Sequence, residues 1–90
     1  MQLAAIVILN YNGVEMLRRF LPSVIGFSAF PVIVADNGST DGSIDLLHKG
    51  FPQIRLLQLE SNFGFTGGYN RALEILKGEF ENYILLNSDV

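Results

Sequence analysis

Val32-Ile33-Val34-Ala35-Asp36-Asn37-Gly38-Ser39-Thr40-Asp41 is the stretch on which the fold turns. Here an apolar run breaks abruptly into acid, amide, glycine and hydroxyl. A buried strand would deliver Asp36 to the edge of a sheet, Gly38 would let the chain turn, and Ser39 or Thr40 would cap a new helix. In open α/β sheets, ligands bind just outside the carboxyl ends of the strands. A carboxylate at that place, ahead of a helix N-terminus, is a candidate nucleotide contact.

Working outward, the same pattern repeats. Residues 3–9 form an apolar run rich in Ile and Val, as a strand covered on both faces requires, and Asn10-Tyr11-Asn12-Gly13 is the turn after it. Val14, Leu17, Leu21, Val24 and Ile25 recur at helical spacing and predict a helix over about 14–26. Pro22 lacks the N–H that a helix interior needs, so a kink or break is expected near position 21. Residues 31–35 read as the second strand. A second helix starts at Ser39 or Thr40, turns Ile44, Leu46 and Leu47 inward and stops at Gly50. The third strand spans 54–59, a glycine-rich loop 61–68, a third helix 68–77 and a fourth strand 83–86. Strands alternating with helices of this length imply right-handed βαβ crossovers. The fold class is α/β, with a mostly parallel four-stranded sheet and helices on both faces.

The 90 residues suffice for one small domain. The apolar share of 49% is high and the charged share of 17% low, which fits strands buried on both faces. A net charge of −3 with scattered basic residues argues against nucleic acid as a partner, because phosphate backbones are met by clustered Lys and Arg. The absence of Cys excludes a disulfide framework and thiolate chemistry. The opening apolar run is too short to span a bilayer and lacks the basic flank of a signal peptide. The chain reads as soluble and cytoplasmic. Because it stops on a motif just past its fourth strand, it also reads as a fragment.

Polar clusters close all four strands: Asn10-Tyr11-Asn12, Asp36-Asn37-Gly38, Ser61-Asn62-Phe63-Gly64 and Asn87-Ser88-Asp89. Parallel strands put them on one rim. One cluster is only a turn, and Asp36-Asn37-Gly38 alone is explained by a side chain bonded to its own backbone. Four together point to a site. The loop Gly64-Phe65-Thr66-Gly67-Gly68 matches neither the dinucleotide nor the P-loop fingerprint. Tyr11 either stacks on a base or covers the sheet edge. His48 suits a helix C-terminus, where a cation meets the dipole, and Arg18-Arg19 suits a solvated face. Arg71 reads as a surface ion-pair residue rather than a phosphate ligand. Asp89 has a structural alternative as the cap of a following helix.

Taken together, the clusters resemble the family 2 glycosyltransferases of the GT-A fold. The resemblance rests on Ile6-Val7-Ile8-Leu9-Asn10-Tyr11-Asn12-Gly13, Val34-Ala35-Asp36-Asn37-Gly38-Ser39-Thr40-Asp41-Gly42-Ser43, Asn62-Phe63-Gly64-Phe65-Thr66-Gly67-Gly68-Tyr69-Asn70 and Leu85-Leu86-Asn87-Ser88-Asp89-Val90. It covers the whole chain, and the third segment looks most like the rhamnosyltransferase branch. It implies a Rossmann-like nucleotide-binding half over residues 1–90, truncated before the acceptor part. Asn10, Tyr11 and Asn12 would lie beside base and ribose, Asp36 would hydrogen-bond the base, and Asn37 would be a further nucleotide-sugar contact. Asn62 and the loop 64–70, through Gly64, Gly67, Gly68 and Asn70, would border the donor. Asn87-Ser88-Asp89 is similar to the family's Asp-x-Asp motif with an amide in first place. Asn87 would approach the ribose, and Asp89 would bind Mg²⁺ or Mn²⁺.

The implied reaction moves a sugar from a UDP- or dTDP-sugar to a hydroxyl of a saccharide or lipid-linked acceptor, with inversion, in cell-surface polysaccharide synthesis. In such an enzyme the catalytic base and the acceptor site lie in a later segment. The chain alone is therefore expected to be inactive and, with its sheet incomplete, to self-associate. The intact enzyme would work at the inner face of the membrane. A different class, a receiver-like signalling module with Asp36 as phosphoacceptor, needs acidic partners after the first strand, and none precedes Glu15.

Overall fold

A computed structural model describes residues 2–27 and 29–87. Its elements in order are β1 (Gln2–Asn10), α1 (Val14–Phe27), β2 (Val32–Asp36), α2 (Ser43–Gly50), β3 (Arg55–Gln58), α3 (Gly64–Ile75) and β4 (Phe80–Asn87). The strands form one sheet in the order β3-β2-β1-β4, and every pairing is parallel. This is a Rossmann-like α/β half with helices on both faces.

Burial explains why β1 and β2 read as unbroken apolar runs. Alternate residues of a strand face opposite sides, and both sides are covered here. Ala5, Val7, Leu9, Ile33 and Ala35 pack with Leu59 and with Tyr69, Ala72 and Leu76, which follow the start of α3. Ile6, Ile8, Val32 and Val34 pack with Leu17 and Leu21 of α1 and Leu47 of α2. Each fully buried Leu, Ile or Val contributes about 1.5–3 kcal/mol, so these two layers hold the fold together. The outer strands are only partly covered, with Ile84 and Leu85 of β4 exposed.

Register then fixes where the site forms. Asn10 lies opposite Asp36, Asp36 opposite Gln58, and Leu9 opposite Asn87. The polar strand ends thus stand in one row. The first three strands progress in one direction across the sheet, and α3 carries the chain back past β1 to β4. The strand order reverses between β1 and β4, where doubly wound sheets open a crevice.

Three expectations about elements change. The helix does not break at Pro22: α1 runs through it to Phe27. A helix-interior proline costs about 3 kcal/mol, but Leu17 and Leu21 are fully buried, and Val24 and Ile25 pack beyond it. Apolar contacts on both sides of the proline offset its cost. The second helix starts at Ser43 rather than at Ser39 or Thr40, because residues 37–42 are occupied with tying loops together. The third helix starts at Gly64, so much of the glycine-rich segment is helix rather than loop. The strands are also displaced by a few residues at their ends from the spans expected.

Candidate functional site

At the ends of β1 and β2 lies a sealed polar knot. Asn10 is fully buried and its Nδ2 donates to Asp36 Oδ1 (2.9 Å) and Ser39 Oγ (3.2 Å). Ser39 donates its N–H to Asp36 Oδ2 (2.8 Å) and its hydroxyl to Asp36 Oδ1 (2.7 Å). Asp36 is 2% exposed. A carboxylate can stay buried only when donors replace its water, and here Asn10 and Ser39 supply them. An Asp36 so enclosed is poorly placed as an exposed phosphoacceptor.

The next layer locks two loops together. Asn12 stands in the left-handed region at φ 51°, which short amide side chains tolerate. Its N–H donates to Ser39 Oγ (2.8 Å), and its Oδ1 accepts from Thr40 N–H (2.7 Å). Tyr11, one residue earlier, is left 49% exposed. Asp41 serves two helices at once. Its Oδ2 accepts from Val14 N–H at the start of α1 (3.0 Å), and its Oδ1 accepts from the N–H (3.0 Å) and hydroxyl (2.6 Å) of Ser43 at the start of α2. Partial burial pushes the Asp41 carboxyl up, but the Ser43 hydroxyl and the N–H groups of Val14 and Ser43 together outweigh it. The group lies below its ordinary value of 3.8. The cap expected of Ser39 or Thr40 is supplied by Asp41, with Gly42 turning at φ 92°.

Asn37 also follows β2 but looks the other way. It is 2% exposed, accepts from Phe63 N–H at Oδ1 (2.9 Å) and donates from Nδ2 to Gly64 O (3.0 Å). The first turn of α3 is pinned from the end of β2. Asn62 Oδ1 accepts from Gly64 N–H (2.8 Å) and closes the same turn. Gly68 is where α3 comes closest to the sheet: an added Cβ would stand 2.8 Å from Leu9 Cδ1 and 2.9 Å from Asn37 Nδ2. At Gly67 an added Cβ would lie 3.1 Å from Phe63 Cβ.

These elements enclose a cavity of about 260 Å³ lined by Leu9, Tyr11, Asn37, Asn62, Gly64, Phe65 and Asn87. Among the described lining residues none is charged. Of the residues expected at the site, Tyr11, Asn37, Asn62, Gly64 and Asn87 line this cavity. Asn10, Asn12 and Asp36 lie behind it as support, with Gly67 and Gly68 in α3. Asn70 is exposed on α3 and does not line the cavity. Asp89 lies outside the described residues, and among those described no three His, Cys, Asp or Glu side chains gather in a way that could hold a metal ion.

Sequence reasoning missed Leu9 as a lining residue and did not single out Phe65 within the donor-bordering loop. Leu9 gave no signal, since only the register reveals that the end of its strand borders a cavity. Phe65 did give one, as a large apolar residue inside a glycine-rich segment. Its ring meets that of Tyr69 nearly at right angles, centroids 5.2 Å apart, and the Tyr69 hydroxyl donates to Leu86 O beside Asn87. Arg71 is engaged by Glu60 (3.0 Å) and Glu74, which raise its pKa, Glu60 most. His48 is exposed in the last turn of α2. Among the described residues no helix is long and apolar enough to cross a membrane.

Comparison with known proteins gives a consistent result. Residues 5–90 match the family described as Glycosyl transferase family 2. An N-acetylglucosaminyl-diphospho-decaprenol L-rhamnosyltransferase of Mycobacterium tuberculosis (strain ATCC 25618 / H37Rv) is 36% identical over 70 residues, 76% of this chain and 23% of that protein. An uncharacterized glycosyltransferase, YfnE, of Bacillus subtilis (strain 168) is 37% identical over 82 residues, 84% of this chain and 21% of its own length. The chain thus spans less than a quarter of each of these relatives.

Proposed function

The chain belongs to glycosyl transferase family 2, and from that premise we propose that its cavity is the nucleotide end of a sugar-donor site. The donor is a UDP- or dTDP-sugar. In the intact enzyme its sugar passes to a hydroxyl of a saccharide or lipid-linked acceptor with inversion, a carboxylate base from another segment taking the hydroxyl proton. The name of the Mycobacterium tuberculosis relative, with its diphospho-decaprenol, favours a lipid-linked acceptor, and a role in cell-surface polysaccharide synthesis goes with this reading.

One observation carries this reading: the polar ends of parallel strands meet in an amide-rich cavity, with no charged side chain among its described lining residues, at the crevice where strand order reverses. Asn37, Asn62 and Asn87 each bring one donor and one acceptor group, the complement of a pyrimidine imide edge. Asn37 has a second lone pair and a second N–H beyond those spent on α3, so it can meet a base while holding the helix. Asp36 acts one step back, by fixing Asn10 and Ser39. Gly64 lines the cavity and lets the backbone approach the ligand, while Gly68 lets α3 lie against Leu9 and Asn37 behind it.

The diphosphate needs positive charge that the described lining residues do not supply. A divalent cation held by the Asp89 carboxylate, a hard oxygen ligand, fits that need. When bound, it would offset the charge on the leaving nucleoside diphosphate.

The test is an amide chemical-shift titration of the chain with UDP and with dTDP. Perturbations should cluster at residues 10–12, 37–39, 62–65 and 85–87. Saturable shifts confined to the opposite edge of the sheet would overturn the assignment.

A further inference from the structure

We propose that Phe65 is the second wall of a two-sided aromatic slot, facing Tyr11 across the cavity, which grips the donor's nucleobase by stacking. The inference rests on the cavity being the nucleotide site and names how the base is held there. Phe65 is 59% exposed and Tyr11 49% exposed, and both line the same cavity. Tyr11 follows the end of β1 on the connection to α1, whereas Phe65 lies in the first turn of α3, so the two rings reach the cavity from separate segments of the chain.

Each ring sits on a backbone that is independently fixed. The Tyr11 loop is held by the reciprocal bonds of Asn12 with Ser39 and Thr40. The Phe65 turn is held by Asn37 and Asn62. Phe65 is further set by its near-perpendicular contact with Tyr69, whose hydroxyl is anchored on Leu86 O. An edge-to-face contact of this kind fixes the plane of a ring yet leaves at least one face free.

Two exposed aromatic rings on rigid supports, with no charged side chain among the described lining residues, suit a flat ligand with a π-face. A nucleobase has one, and alanine substitution at base-stacking aromatics costs about 1–3 kcal/mol per base, roughly 5- to 150-fold in affinity. Because supports ordered in advance spend little entropy on binding, the rings need not be recruited by the ligand.

The experiment compares wild type, Phe65→Ala and Phe65→Trp for binding of UDP, dTDP and uridine. Phe65 is exposed, so both variants should keep the unfolding midpoint of the wild type. Phe65→Ala should weaken the nucleotides and uridine by the same factor, about tenfold or more. Phe65→Trp should bind as wild type does, and its indole, the only one in the chain, should be quenched at saturation. Wild-type binding with Phe65→Ala unimpaired, or saturation of Phe65→Trp without a fluorescence change, overturns the slot alone. No binding by the wild type at all overturns the nucleotide reading and the slot with it.

Discussion

Asp36 and Asn37 are neighbours, both nearly sealed from solvent, and they serve opposite sides of the rim. The carboxylate binds backward into Asn10 and Ser39, and the amide binds sideways into α3. Asp36→Ala should therefore weaken the fold as well as the site. It leaves buried donors of Asn10 and Ser39 without their acceptor, at about 1–3 kcal/mol, read as a lower urea midpoint. Gly68→Ala should also destabilise, by about 1–3 kcal/mol. The new Cβ would meet Leu9 and an Asn37 amide already committed to Gly64, which outweighs the usual helical gain. Gly26→Ala is the control, for nothing lies within 4 Å of its Cβ and the site is helical; it should be neutral or gain up to about 1 kcal/mol. That Asp36 reaches the rim was legible from the apolar run ending there. That Asn10 and Ser39 enclose it was not, since those partners come from pairing β1 with β2 in one register.

Among the elements, the α1 and α2 N-termini depend on one side chain. Asp41 accepts from the first residue of each helix. Asp41→Asn turns one of the two acceptor oxygens into an amide donor facing a backbone N–H and should cost about 1–2 kcal/mol at neutral pH. The sign with pH follows from linkage: the folded carboxyl titrates below its ordinary 3.8. Its stabilisation is therefore complete above that value and is lost as pH falls through the lower folded value. Urea midpoints of wild type and Asp41→Asn should stay apart at pH 7 and 5 and converge below about pH 3.8. The hydrophobic periods disclosed every strand and helix of the described chain, yet helix starts were misplaced at α2 and α3. At α2 the cap comes from Asp41, two residues ahead of Ser43, while Ser39 and Thr40 are drawn into long-range bonds with Asn10 and Asn12. At α3 the glycines, which suggested a loop, are what let the helix lie against Leu9 and Asn37. Pro22 does not end α1, because packing on both of its sides offsets its local cost.

For the whole molecule, two apolar layers close around β1 and β2, and the radius of gyration of 12.0 Å is what a compact chain of this length has, about 12 Å. Among the described residues no strand pairs with the outer side of β4, and Leu3, Ile84 and Leu85 are exposed at 59%, 41% and 43%. An open strand edge with apolar neighbours and little charge is a template for further pairing. The 90-residue chain should form dimers or larger species at high concentration, measured by size-exclusion chromatography with light scattering. Ile84→Lys should shift it toward monomer. A wild type that stays monomeric would contradict this. The α/β class, the parallel sheet and the clustering of polar ends on one rim were all visible in the sequence, because periodicity and turn residues encode them locally. The cavity was not, since it needs Leu9, Asn37, Phe65 and Asn87 brought together from separate elements.

Calorimetric titration of the chain with UDP and dTDP, each with and without Mn²⁺, asks whether this rim holds a nucleoside diphosphate. At least one of the two should bind saturably and one to one, more tightly with the metal. A folded chain that takes up neither nucleotide under either condition would contradict it.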